Sequence, residues 1–153
     1  MPHPILLYDG VCGLCNRFVQ FILRRDRNAI FRFASLQSAF ASRILARHGA
    51  NPTDLDTVYV VVNPDLNPDL RKESPTQGTQ PNESLLTRSE AVLFVLKQLG
   101  GPWRPTAFLL QLPPKFLRDL AYNAVARHRY RIFGRSEVCT LPCDQDHSRF
   151  LDG

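Results

Sequence analysis

Short apolar runs alternate with helix-patterned segments along the first hundred residues, and this alternation restricts the fold more than any other feature. Ile5-Leu6-Leu7-Tyr8 is an apolar run closed by the turn signal Asp9-Gly10, as expected of a buried strand. Leu14, Phe18 and Ile22 then follow at helical spacing from Gly13 to about Arg25, with Val19, Phe21 and Leu23 beside them. Arg24 and Arg25 fall in the last turn, where cations suit the helix dipole. "AIFRFASL" alternates around Ile30, Phe31 and Phe33 and predicts a second strand. Residues from about Ser35 to His48 predict a helix stopped by Gly49, and the β-branched "TVYVVV" at 57–62 predicts a central strand. A strand around Ser84-Leu85-Leu86 precedes "EAVLFVLKQL", for which Ser89 offers an N-cap and Gly100 a stop. That helix is apolar almost all round and should be buried. The order β-α-β-α-β-β-α implies an α/β domain: a central mixed sheet of about four strands, the first ones parallel, flanked by helices.

The chain has 153 residues, 44% of them hydrophobic, with ten Phe, which suits a single domain with a real core. The interruption at 63–83 carries four prolines and few apolar residues, and reads as a mobile loop. Residues 102–153 read as a helical extension and tail. "GPWRPTAFLLQL" is a short helix or turn with Trp103 as a core anchor, and Pro113-Pro114 opens a long helix ended by Gly134. Its stripe of Phe116, Leu117, Leu120, Ala121, Ala124, Val125 and His128 should face inward, which makes His128 a buried, hydrogen-bonded histidine.

No stretch reaches the roughly 18 apolar residues of a membrane span, and the N-terminus lacks the pattern of a signal peptide. The expectation is a cytoplasmic, reducing location, where a close cysteine pair is catalytic or metal-binding rather than a permanent staple. Cys12 and Cys15 are such a pair, set where a strand hands over to a helix. A sulfur at the helix start lies by free backbone N–H groups and the positive end of the dipole, which favour thiolate. Cys12 is therefore the expected nucleophile. Cys15, one turn deeper, should be less exposed, keep a higher pKa and resolve the mixed disulfide. Gly10 and Gly13 leave room for a substrate backbone. Asp9 has two readings: proton acceptor for Cys15, or a carboxylate that bonds the N–H groups of the Gly10-Val11 loop.

"LYDGVCGLCNRFVQFILRRD" resembles the DCC family of thiol-disulfide oxidoreductases, named for an Asp-x-x-Cys-x-x-Cys motif that Asp9, Cys12 and Cys15 match one for one. The similarity continues through "RFASLQS", "TRSEAVLFVLKQLGGPW", "PPKFLRDLAYNAVARHRYRIFG" and Cys139 in "CTLP". It implies a thioredoxin-like fold. It also implies dithiol-disulfide exchange with no built-in cofactor, on a protein or low-molecular-weight disulfide, with electrons from glutathione or a partner protein. Thioredoxins place a proline before the third strand; here that place falls near Asp56-Thr57, so substrate pairing at that loop does not carry over. "TRSEA" is similar to the helix start with which glutathione-binding relatives hold a carboxylate. Arg88 and Ser89 would form that anion site, the plainer role of Ser89 being N-capping.

Two other classes remain open on the residues. One is a metal-clipped binding module, in which Cys139 and Cys143, with His147 or His3, complete a zinc site begun by Cys12 and Cys15. The other is a thioredoxin-like scaffold with vestigial chemistry, docking a partner or a membrane surface through its basic C-terminal helix. The net charge of +5 and the mixed cations and aromatics of "RHRYRIFGR" also occur in nucleic-acid binders. A solvated, arginine-rich surface accounts for both, and no nucleic-acid partner is expected.

Overall fold

A computed structural model of the chain describes residues 3–51, 57–62, 84–135 and 148–151. The predicted loop at 63–83, and Cys139, Cys143 and His147, lie outside the described residues. The elements run β1 (Ile5–Tyr8), α1 (Gly13–Arg25), β2 (Arg32–Ser35), α2 (Ala39–Arg47), β3 (Tyr59–Val62), β4 (Ser84–Thr87), α3 (Arg88–Leu99), α4 (Trp103–Gln111) and α5 (Lys115–Phe133).

The strands form one mixed sheet in the order β2-β1-β3-β4. β1 and β2 are parallel, with Leu6 opposite Phe33, because α1 provides the crossover that parallel neighbours require. β1 and β3, then β3 and β4, pair antiparallel, with Val60 opposite both Leu6 and Leu86. This four-stranded sheet with helices on its faces is the thioredoxin-like architecture expected. β1 is apolar without interruption because both its faces are covered. Leu6 and Tyr8 pack with Val19, Ile22, Phe33 and Val95 on one side, and Ile5 and Leu7 pack with Ile44, Leu45 and Val61 on the other.

The local signals explain most element ends. α2 starts at Ala39 rather than near Ser35, because Ser35 still belongs to β2 and Ser38 is the cap, its hydroxyl accepting from the Ala41 amide at 3.1 Å. α3 buries Ala91, Leu93, Val95 and Leu96, as its apolar sequence demands. It starts two residues earlier than expected: the extended Thr87 is its N-cap and Ser89 is already its second residue. Trp103 opens α4 and is half-buried, its ring edge-on to Phe21 at 4.9 Å.

α5 corrects the sequence reading most. Part of the stripe expected to face inward faces out: Phe116 is 69% exposed, Leu120 64%, and His128 is exposed as well. The buried residues of α5 are Ala126 and Arg129, with Tyr122 and Tyr130 half-buried on the same side. The inward face is chosen by polar partners, not by hydrophobicity.

Candidate active site

β1 delivers its next residue, Asp9, to the turn that starts α1. The turn is closed by the Cys12 amide donating to the Asp9 carbonyl at 3.2 Å. It is pinned from both sides, with the Gly10 amide donating to Gln37 Oε1 at 3.3 Å and Asn16 Nδ2 donating to the Gly10 carbonyl at 3.1 Å. Cys12 is the N-cap residue of α1, and Cys15 lies in the first turn; both are free thiols.

The two sulfurs share one proton unequally. Cys12 is lowered to about 6, first because the Cys15 thiol donates to it; the amides of Cys15 and Leu14 and the positive charge of Arg129 add to this, while burial opposes it. Cys15 is pushed up well beyond the ordinary thiol range, because its proton is held by Cys12 and because burial and the adjacent Cys12 charge disfavour a second thiolate. The two thiols are displaced in opposite directions, but the expected difference in exposure is absent. Cys12 is 0% exposed and Cys15 4%.

The chain's own backbone covers Cys12. The Gly13 amide donates to the Gly134 carbonyl at 3.3 Å, and Cys12 makes an antiparallel bridge to Arg135. A Cβ on Gly13 would sit 2.4 Å from the Phe133 carbonyl oxygen, so only glycine permits this approach. The room that Gly10 and Gly13 were expected to leave for a substrate is taken by the end of α5 and the bonds of Gln37 and Asn16.

Asp9 is fully buried and fully engaged. Its Oδ1 accepts from the Val11 amide at 3.1 Å and from Gln37 Nε2 at 2.8 Å. Its Oδ2 accepts from Arg129 Nη2 at 3.2 Å and from the Tyr130 hydroxyl. The Val11 bond ties the carboxylate to the loop it precedes, and the Asp9 backbone, not its carboxylate, bonds the Cys15 sulfur. Arg129 completes the site: 2% exposed, paired with Asp9, its Nη1 lies 4.0 Å from Cys15 Sγ. Tyr130 is raised to about 12 by burial and by its bond to Asp9. Sequence reasoning missed Arg129 and Tyr130, treating them as part of a cation-rich helix end. The available signal was the spacing of Tyr122, Ala126, Arg129 and Phe133, which is helical and holds only one charged residue.

The DCC1-like thiol-disulfide oxidoreductase family model matches residues 6–135, from β1 to the backbone that covers Cys12. The chain belongs to this family. It is 39% identical over 139 residues to a DCC family protein of Arabidopsis thaliana named as chloroplastic, covering 91% of this chain and 70% of that one. It is 34% identical over 151 residues to the uncharacterized protein YuxK of Bacillus subtilis, covering 99% of this chain and 96% of that one. No solved structure matches it significantly.

In this DCC1-like protein the carboxylate site expected at Arg88 and Ser89 is differently arranged. Arg88 is exposed, holds a left-handed backbone (φ 51°) and gives its amide to the Val58 carbonyl at 3.2 Å. The Ser89 hydroxyl donates to Asp119 Oδ1 at 2.6 Å, so the chain's own carboxylate occupies the start of α3. The His3 ring bonds the Ile30 carbonyl through Nδ1 at 2.9 Å. Among the described residues no group of three or more His, Cys, Asp or Glu side chains is placed to hold a metal. Likewise, no described helix is long and apolar enough to cross a membrane.

Proposed function

We infer that this protein is a dithiol-disulfide oxidoreductase in which Cys12 attacks and Cys15 resolves. The Cys12 thiolate attacks a substrate disulfide, forming a mixed disulfide and releasing one substrate thiol. Cys15 then gives up its proton, attacks Cys12 Sγ and closes the Cys12–Cys15 disulfide as the second substrate thiol leaves. Two electrons pass from the protein to the substrate; a thiol such as glutathione or a partner protein returns them. Asp9 acts as a positioning residue, holding the loop through Val11 and holding Arg129 beside the sulfurs. A reducing compartment such as the cytoplasm suits this cycle. The substrate is a protein or low-molecular-weight disulfide, and contact requires the Phe133–Arg135 backbone to part from Cys12 and Gly13.

The observation that carries this reading is a pair of free thiols at the start of α1 beside a buried guanidinium, with Arg129 Nη1 4.0 Å from Cys15 Sγ. Incubating Cys15→Ser with a small disulfide tests it: a stable mass adduct on Cys12 is expected, and Cys12→Ser should lose exchange entirely. Wild-type exchange in both variants would refute it. The complete burial of Cys12 favours one other reading, a scaffold with vestigial chemistry. A Cys12 that titrates as an ordinary thiol, at ~8.5, with no turnover, would establish that reading instead.

A further inference from the structure

Cys12 is buried, and Cys15 lines a cavity of about 640 Å³ between α1, α3, α4 and α5. That volume lies within the range of sites that hold a cofactor-sized molecule. Leu14, Phe18, Leu93 and Leu117 make its walls apolar, and the exposed Leu110 and Leu117 carry this character out to the surface.

Two hydrogen-bond donors on the cavity lining lack acceptors. The Tyr122 hydroxyl accepts from the Val58 amide at 2.9 Å, which leaves its own hydrogen without an acceptor among the described residues. Burial raises Tyr122 to about 12, so the phenol keeps that hydrogen at neutral pH. Arg118 lines the same cavity, and its Nε is buried with no hydrogen-bond partner among the described residues. A buried donor left unpaired is costly, and both donors would be satisfied by carbonyl oxygens.

The geometry points to a lipophilic quinone as the molecule that fills this cavity, with its carbonyl oxygens on Tyr122 and Arg118, its ring against Cys15 Sγ and its chain along Leu110 and Leu117. This rests on the dithiol chemistry proposed above and names an oxidant for it. Cys12 does not line the cavity, so a molecule held there meets Cys15 first, and paired carbonyl oxygens are what the two unpaired donors select. The proton shared by the pair moves to Cys12, and Cys15 Sγ adds to a ring carbon. Cys12 releases that proton and attacks Cys15 Sγ; the S–S bond forms, the S–C bond breaks, and its electron pair stays on the ring. The reduced pair carries one proton at neutral pH. That proton and one from water complete the hydroquinone, so one quinone is reduced by two electrons for each disulfide made.

The test uses the full-length reduced protein under anaerobic conditions with decylubiquinone, a fully substituted benzoquinone, as probe. One hydroquinone per chain, loss of two thiols mapped to Cys12 and Cys15, and a rate that saturates with quinone are expected. Ala121→Trp, placed at the exposed cavity rim, should slow the reaction at least tenfold. Arg118→Met should raise the half-saturating quinone concentration about tenfold, the usual effect of losing one buried hydrogen bond. A rate linear in quinone and indifferent to both variants would overturn the site, as would protection of Cys15 by decanoate in place of reaction with the quinone. Reduction of a small soluble disulfide with no hydroquinone formed overturns this inference and leaves the dithiol function standing. Failure of both reactions removes the two together.

Discussion

Two buried aspartate–arginine pairs sit at opposite ends of α1, and they differ in what else they touch. Asp26, the C-cap of α1, pairs with Arg149. That pair also bonds backbone: Asp26 accepts from the Ile30 and Phe31 amides at 3.0 and 2.9 Å, and Arg149 Nε and Nη2 both donate to the Phe31 carbonyl at 3.2 Å. Asp9 pairs with Arg129 at the other end, and there the contacts include, besides the Val11 amide, a sulfur, a phenol and a glutamine. The first pair is a clip that ties residues 148–151 to the sheet, helped by the Leu151 amide donating to Phe33 at 2.9 Å. The second places a fixed positive charge beside a thiol pair. A buried ion pair is weak evidence about stability by itself; the third party decides what it is for.

Breaking each pair separately sharpens the contrast. Arg129→Met should have the larger consequence. It leaves Asp9 buried without its countercharge, at a cost of about 3–5 kcal/mol in chemical denaturation, and it removes a charge that favours the Cys12 thiolate. Ultraviolet thiolate absorbance should therefore titrate higher than about 6. Arg149→Met should cost a similar ~3–5 kcal/mol yet leave that titration where it is. A Cys12 shift in Arg149→Met, or none in Arg129→Met, would erase the distinction.

pH offers a milder test. The folded dithiol releases the Cys12 proton near 6, against 9.0 for an ordinary thiol. Between those values the unfolded chain still holds a proton that the folded chain has lost, so stability must rise with pH there. The reduced protein should gain stability over the disulfide form across this window and lose the gain as pH falls to about 6. The Asp26 end should be indifferent to the redox state. The smallest effect is expected for His128→Ala, within about 0.5 kcal/mol, since the side chain is exposed.

The β1–α1 unit was legible because period-two and helical patterns, the Asp-Gly turn and the paired thiols all agree locally. The parallel pairing of the first two strands followed from element alternation, whereas the strand order is seen only in the structure. The orientation of α5 was not legible either, because its most apolar stripe is not its buried one: Asp9 fixes Arg129 and Tyr130 inward, and Phe116 and Leu120 turn out as a result. A partner 120 positions away along the chain leaves no mark in a single sequence. The same holds for the cover over Cys12, whose donor is the plain backbone of Gly134. At Gly13 the sequence offers only an open site, and the backbone that fills it belongs to this chain.

The narrow fit of Gly13 against the Phe133 carbonyl has a kinetic meaning. If one helix end must lift before Cys12 meets any reagent, turnover acquires a ceiling set by that opening rather than by the reagent's own reactivity. Fast and slow oxidants of Cys12 would then converge on one limiting rate, and the lock, not the key, would keep the time.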